Sequence, residues 1–307
     1  EVEAGFKFEN GVKGNVYSSH TDALISQLID QIAAEKNISK QAAETYLNTS
    51  GLRIYSTQVE SIQNTIEAEM EDPKYILHGK DKKGNDVTAE AAAVVIEPST
   101  GYVVGAVGQL GEKTTSRGLN RINSPRQTGS SIKPLSDVLP GIEEGIITPA
   151  TIYADTRTTF GTNWTPKNYN GYSSGVYRTV RSALTTSQNI PFIKIQAELT
   201  PKKGMEYLKK MGVSTLDEQG DNNLPAVAIG GFTNGISPLE MAAAYAMVAN
   251  DGVYIKPTFY TKAVDSSGNV ILQPNQTTER VCSEQTAYIV KDLMKSVVND
   301  AGGTASY

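Results

Sequence analysis

Ser130 and Lys133 are the one place in this chain where a serine precedes a lysine by three residues, within Arg126-Gln-Thr-Gly-Ser-Ser-Ile-Lys-Pro134. On a helix, residues i and i+3 share a face, so the hydroxyl and the amine become neighbours. A lysine beside a serine can take the hydroxyl proton and turn a weak nucleophile into an acylating one. Free lysine titrates near ~10.4, so poising the amine near neutrality requires roughly 4 kcal/mol of burial or positive surroundings. The plainer alternative is a solvated helix start with an ordinary exposed lysine.

Ser187-Gln188-Asn189 forms a second polar cluster, at the end of Arg178-Thr-Val-Arg-Ser-Ala-Leu-Thr-Thr-Ser187, which reads as a short helix entering a turn. Ile190-Pro191 is expected to bend the chain there, because a residue before proline avoids the helical region. Both polar side chains could then face one cleft. The hydroxyl could relay a proton to a leaving amine, and the amide could hold a substrate carbonyl. The other Ser-x-Asn, Ser267-Gly268-Asn269, has the composition of a tight turn between Tyr260–Val264 and Val270–Leu272, and is read as a hairpin.

The elements that must position these residues follow from local chemistry. Pro134 lacks an N–H and fits only a helix's first turn, and Gly129 suits a sharp entry, so a helix is predicted to start near Ser130. Ile132, Leu135, Val138 and Leu139 supply its apolar stripe. Ser130 would then lie where unpaired N–H groups and the dipole favour an oxyanion. Helices are predicted near 178–187, 191–199, 201–211, 237–250 and 283–299, with a hairpin at 258–264 and 270–273. Upstream, helices at 21–36 and 39–48, a strand at 52–57 and a helix at 59–71 precede a charged turn at 79–86 and a hairpin at 89–108. Hairpins at both ends with helices between imply α+β, an antiparallel sheet sandwiched by helices, preceded by a small mostly helical unit. The expected division is a linker or adaptor region at 1–86 and a catalytic domain at 87–307.

From about residue 88 onward the sequence resembles the transpeptidase domain of class A penicillin-binding proteins, in the penicilloyl-serine transferase superfamily. The resemblance is carried, in order, by Ala91–Gly108, Arg126–Pro134, Trp164-Thr-Pro-Lys-Asn168-Tyr, Gly171 to Asn189, Ala228-Ile-Gly-Gly231 and Ser237–Gly252. It implies Ser130 as nucleophile, Lys133 as base, Ser187 as second serine, and Asn189 as the substrate-binding amide. It also sets Trp164 at the cleft, although a packed aromatic anchor is the equal alternative. It implies peptidoglycan stem peptides as substrate, β-lactams as covalent inhibitors, and neither a metal nor an organic cofactor. An extracytoplasmic site is implied too, with an upstream membrane anchor and a glycosyltransferase domain expected in the parent protein.

The family's third element, Lys-Thr/Ser-Gly on an edge strand, is not found; Lys82-Lys83-Gly84 and Lys202-Lys203-Gly204 are the nearest strings, in the wrong order. The chain is therefore expected to be a piece of a longer polypeptide, inactive in isolation.

Composition narrows the field further. A net charge of −5 gives no electrostatic case for nucleic acid. The single cysteine, Cys282, excludes an internal disulfide and has no metal-site partner. Gly171-Tyr-Ser173-Ser-Gly175 matches the hydrolase elbow, yet no buried strand precedes it, and the two histidines, His20 and His78, both lie upstream. Two readings stay open beside transpeptidation. One is a serine β-lactamase, for which Asp155 is a candidate carboxylate; the other is a non-enzymatic penicilloyl-binding sensor.

Overall fold

The computed structural model describes residues 16–306, so the first fifteen residues of the expected linker region lie outside it. The chain opens with α1 (Ser19–Lys36), whose first turn is closed by the Ser18 hydroxyl accepting from Thr21 N–H. Asn37 ends it in the left-handed conformation. Helix α2 (Lys40–Thr49) starts at the predicted Ser39 cap. Strand β1 (Arg53–Ser56) and helix α3 (Glu60–Glu71) follow. The charged segment near 79–86 is the turn of a short hairpin, β2 (His78–Lys80) with β3 (Asp86–Thr88). Next comes the predicted hairpin of β4 (Ala93–Glu97) and β5 (Tyr102–Val107).

A 3₁₀ turn (Gly129–Ile132), a π-helical stretch (Pro134–Val138) and α4 (Leu139–Glu143) then run on continuously. Strands β6 (Ile152–Ala154) and β7 (Tyr177–Thr179) pair as an antiparallel ladder that the polar intervening sequence did not suggest. Helices α5 (Val180–Thr185), α6 (Asn189–Leu199), α7 (Pro201–Lys210), α8 (Leu224–Ile229) and α9 (Pro238–Ala249) follow. Of these, α8 was not anticipated from the sequence. The chain closes with β8 (Val253–Ile255), β9 (Tyr260–Val264), β10 (Val270–Leu272), β11 (Thr278–Arg280) and α10 (Glu284–Asn299). The β9–β10 connection is the turn expected at Ser267–Asn269. Its Asp265 carboxylate accepts from Ser267 N–H, Asn269 N–H and the Asn269 amide, each at 2.9 Å.

The fold is α+β, with short antiparallel ladders in place of one continuous sheet. Two compact units share it, and neither is continuous in sequence. The first takes the chain through Val95, Val103–Ile122 and Thr258–Pro274; the second takes Ile96–Tyr102, Asn123–Pro257 and Asn275 onward. The sequence boundary at 86/87 thus falls inside the first unit. The reason is strand pairing at long range: β1 lies against β9, with Ile54 opposite Ala263, and β9 also pairs β10.

In the first unit, α1 packs Leu24, Leu28, Ile29 and Ile32 inward. Its Gln27 amide oxygen takes the Phe259 N–H at 2.9 Å, tying the helix to the start of β9. In the second unit the predicted stripe of Ile132, Leu135, Val138 and Leu139 is wholly buried. At about 1.5–3 kcal/mol per side chain, those four anchor the 129–143 segment in its core. Phe192, Phe232, Met247 and Leu293 from α6, the loop after α8, α9 and α10 complete it.

One buried group makes the first unit sensitive to acid. His20 has no exposed surface, and its Nε2 donates to Val103 O at 2.7 Å, while Nδ1 has no partner among the described residues. Burial, partly offset by that hydrogen bond, lowers its pKa to about 4. The folded state therefore refuses a proton that the unfolded chain takes below about 6.5. Stability attributable to His20 is complete above pH 6.5 and should fall by on the order of 3 kcal/mol as pH drops to about 4. Denaturant unfolding of the parent and of His20→Gln across that range checks this: the parent's stability should fall more steeply. Parallel curves would show that His20 is not the acid-labile group.

Candidate active site

Ser130 is reached by a sharp entry, with Gly129 at φ +56°. Its carbonyl would accept from residue 134 in an α-helix, but Pro134 has no N–H. The Lys133 N–H closes the turn on Ser130 O instead, making it 3₁₀, and the chain passes into the π-helical stretch beyond. In a 3₁₀ turn residues i and i+3 eclipse one another. Ser130 and Lys133 accordingly line the same cavity, Ser130 exposed and Lys133 fully buried. Gly230, at φ +79°, lies so near that a Cβ there would come within 2.3 Å of Gly129 O. The glycine pair at 230–231 lets the loop after α8 close on the backbone just ahead of Ser130.

The second segment is built by a helix terminator. Ser187 N–H donates to Leu184 O at 3.0 Å and Gln188 N–H to Ala183 O at 2.9 Å, the paired bonds of a Schellman ending to α5. The left-handed position of that motif usually holds glycine; here it holds Ser187, at φ +51°. A side chain there costs roughly 1–2 kcal/mol. The expected break at Ile190-Pro191 does not occur. Helix α6 starts at Asn189, so Pro191 falls in its first turn, where a missing N–H costs nothing.

Lys133 joins the two segments. Its Nζ donates to Asn189 Oδ1 (2.8 Å), Ser187 O (3.0 Å) and Gln188 O (3.1 Å), with Ser187 Oγ at 3.4 Å. The Phe192 ring centroid lies 5.2 Å away. Four acceptors surround an ammonium that has three N–H bonds. A neutral amine could keep two of these bonds and direct its lone pair at a hydroxyl. Burial pulls the Lys133 pKa down to about 8, against an upward pull from Asp137 one turn on. Asp137 is itself fully buried, and burial raises its carboxyl well above the ordinary range. The hydroxyl closest to the amine is that of Ser187; Ser130 Oγ makes no hydrogen bond to Lys133. Such contacts commonly tighten only when substrate binds.

The cavity measures about 310 Å³. Ser130, Lys133, Ser187 and Tyr245 give it a polar side; Leu184, Met294, Val297 and Val298 give it an apolar wall. The Tyr245 hydroxyl donates to Ser131 O at 2.5 Å, bracing the Ser130 turn from α9. Thr304 also borders the cavity, on a segment that returns to α5 through Thr304 N–H to Thr185 O. None of these flanking residues was picked out from the sequence. Tyr245 was the one readable sign, a lone large polar-tipped residue in an alanine-rich helix. Asn189 does not line the cavity but holds the amine. Trp164 borders neither this cavity nor a second one of about 410 Å³ lined by Arg157, Lys167 and Tyr172; it is half-buried, 5.9 Å from the Phe160 ring. Ser173 of the elbow-like string borders that second cavity, and His20 is occupied by Val103.

The described family of penicillin-binding-protein transpeptidase domains matches residues 91–307. Penicillin-binding protein 1A of Clostridium acetobutylicum is 32% identical over 298 residues, covering 92% of this chain and 36% of that protein. Penicillin-binding protein 1F of Bacillus subtilis is 34% identical over 222 residues, covering 72% of this chain and 30% of that protein. The chain thus spans about a third of the length of these relatives. The structure of the PonA1 protein from Mycobacterium tuberculosis in complex with penicillin V superposes with a TM-score of 0.71 at 23% identity, covering 92% of this chain and 74% of that one.

The unusual amine is directly measurable. With ¹³Cε-labelled lysine, one resonance, absent in Lys133→Ala, should titrate with a midpoint near 8, well below the ~10.4 of a free lysine. A Lys133 midpoint at the free-lysine value would contradict its burial.

Proposed function

Since the chain belongs to the penicillin-binding-protein transpeptidase family, we propose that it catalyses D,D-transpeptidation of peptidoglycan stem peptides through a Ser130 acyl-enzyme. The observation that carries this reading is the buried amine of Lys133, set between an exposed serine and the acceptors of residues 187–189. Lys133 in its neutral form takes the Ser130 proton as Oγ attacks the carbonyl carbon between the two terminal D-alanines. The carbonyl π-electrons move onto oxygen, and the Ser130 N–H at the 3₁₀ turn offers one donor to that oxyanion. Collapse breaks the C–N bond. The proton reaches the departing D-alanine amine through Ser187, whose hydroxyl lies 3.4 Å from Lys133 Nζ. An amine of a neighbouring stem then attacks the ester, and Ser130 leaves with its proton restored. A β-lactam acylates the same oxygen by ring opening and stays attached. The site is assigned to the outer face of the cytoplasmic membrane, where that substrate lies; among the described residues no helix is long and apolar enough to cross a membrane.

The hydrolase alternative finds little support at Asp155. Asp155 is buried, accepts from Asn168 and Ser174, and does not line the cavity that holds Ser130, so it is not placed to activate a water at that serine.

Intact-mass measurement of the full-length polypeptide with penicillin checks the assignment. Ser130→Ala should eliminate the covalent adduct; a persisting adduct would falsify Ser130 as nucleophile. Lys133→Ala should slow acylation roughly 10²–10⁴-fold. In the parent, the acylation rate should rise about tenfold per pH unit below the Lys133 midpoint of about 8 and level off above it, because only the free amine accepts the proton. Rapid release of hydrolysed β-lactam would select the β-lactamase reading.

A further inference from the structure

Helix α6 begins without a cap of its own: Gln188, ahead of it, offers no side-chain hydrogen bond. Its first two N–H groups are nevertheless satisfied. Asn168 Oδ1, from a loop twenty-one residues back, accepts Asn189 N–H at 2.8 Å and Ile190 N–H at 3.2 Å. The other end of that amide is equally committed, since Nδ2 donates to both oxygens of Asp155, at 2.9 and 3.0 Å. Asp155 is buried and receives the Ser174 N–H at 3.1 Å and its hydroxyl at 2.5 Å, with Arg178 Nε 3.6 Å away. The carboxylate therefore dictates which way the Asn168 amide faces, since a flipped amide would set oxygen against oxygen. The adjacent Lys167 carbonyl takes the Asn189 side-chain N–H at 2.9 Å, leaving Asn189 Oδ1 turned toward Lys133.

We propose that Asn168, oriented by Asp155, is a positioning residue that caps α6 from a distance and clamps residues 187–189 over the Lys133 amine. Neither residue touches the cavity. They act through Asn189, and the assignment rests on the acyl-transfer reading of the site. Burial is the main cause that lowers Lys133, and the clamped segment supplies part of that burial. Asp137, on its own segment, is the charged group that opposes it. On the neighbouring elements, Lys194 of α6 donates to Ala154 O, and Arg178 faces Asp155. Releasing the clamp admits water to the amine, so the Lys133 midpoint should rise and the free-amine fraction at neutral pH should fall.

The test uses the full-length polypeptide and two readouts, the Lys133 ¹³Cε titration and the rate of acylation by penicillin, well below the unfolding temperature of every variant. Asn168→Ala should raise the midpoint by about one pH unit and slow acylation near pH 7 about tenfold, the fold-change that one unit of free-amine population implies. Asp155→Asn, which keeps shape but frees the amide to flip, should give a smaller change in the same direction. Asn168→Asp should be the most damaging single change, because it sets two carboxylates together. Combining Asn168→Asp with Asp155→Asn restores donor to acceptor with the roles exchanged and should recover most of the loss. A merely structural loop would lower thermal stability without moving the midpoint, and an unmoved or lowered midpoint in Asn168→Ala and Asp155→Asn would overturn the proposal. Should the parent form no adduct while the midpoint moves as stated, the transfer reading fails and the positioning role stands.

Discussion

A primary amine withdrawn from water must either find acceptors for its N–H bonds or give up its proton, and Lys133 does part of each. Its acceptors come from one short stretch, the carbonyls of Ser187 and Gln188 and the amide oxygen of Asn189. Burial then lowers the pKa only to about 8. That balance constrains much of the second unit. The 187–189 stretch must present two successive carbonyls and an amide to one point. The segment bearing the amine must be held by a core that does not shift, which the buried Ile132, Leu135, Val138 and Leu139 provide.

Presenting two successive carbonyls to one atom is not something a regular helix or strand does. The Schellman ending of α5 achieves it by turning Ser187 into the left-handed region. Glycine would adopt that backbone without penalty but would lose the hydroxyl that lies beside the amine. Strain of this size persists because both flanks are overdetermined, by the helix bonds on one side and by Asn168 on the other. The Ser130 side shows a related compromise. Pro134 withholds one α-helical bond, and the chain answers with a 3₁₀ turn and a π-helical stretch in sequence. Irregular helix at that point changes which side chains share a face, and the result sets an exposed hydroxyl and a buried amine on one cavity.

The parts that were legible in the sequence are those decided by neighbours along the chain. Capping serines at 39, 237 and 283 mark helices that begin where expected. The apolar stripe of the Ser130 segment is buried as its period required. The Asp265–Asn269 turn is the hairpin its composition described. What was illegible depends on partners far off in sequence. Pairing of β1 with β9 joins residues about two hundred positions apart, and moves the division between units away from residue 86. Pro191, read locally as a bend, becomes a harmless first-turn residue because a distant asparagine starts the helix two positions earlier. The cavity wall from Met294, Val297 and Val298 carries the period of an ordinary core helix, so nothing marked it as site.

For this protein, then, residue type and spacing singled out Ser130 and Lys133 as the candidate pair, because three residues of separation set a shared face in any tight helix. The same local chemistry determined where most helices start. Tertiary structure alone decided what state the amine is in. The pKa of Lys133 is a property of desolvation and of acceptors more than fifty residues away in sequence. Those exist only once α5, α6 and the Asp155–Asn168 pair have folded around it, since burial is a sum over many contacts that no short stretch of sequence contains.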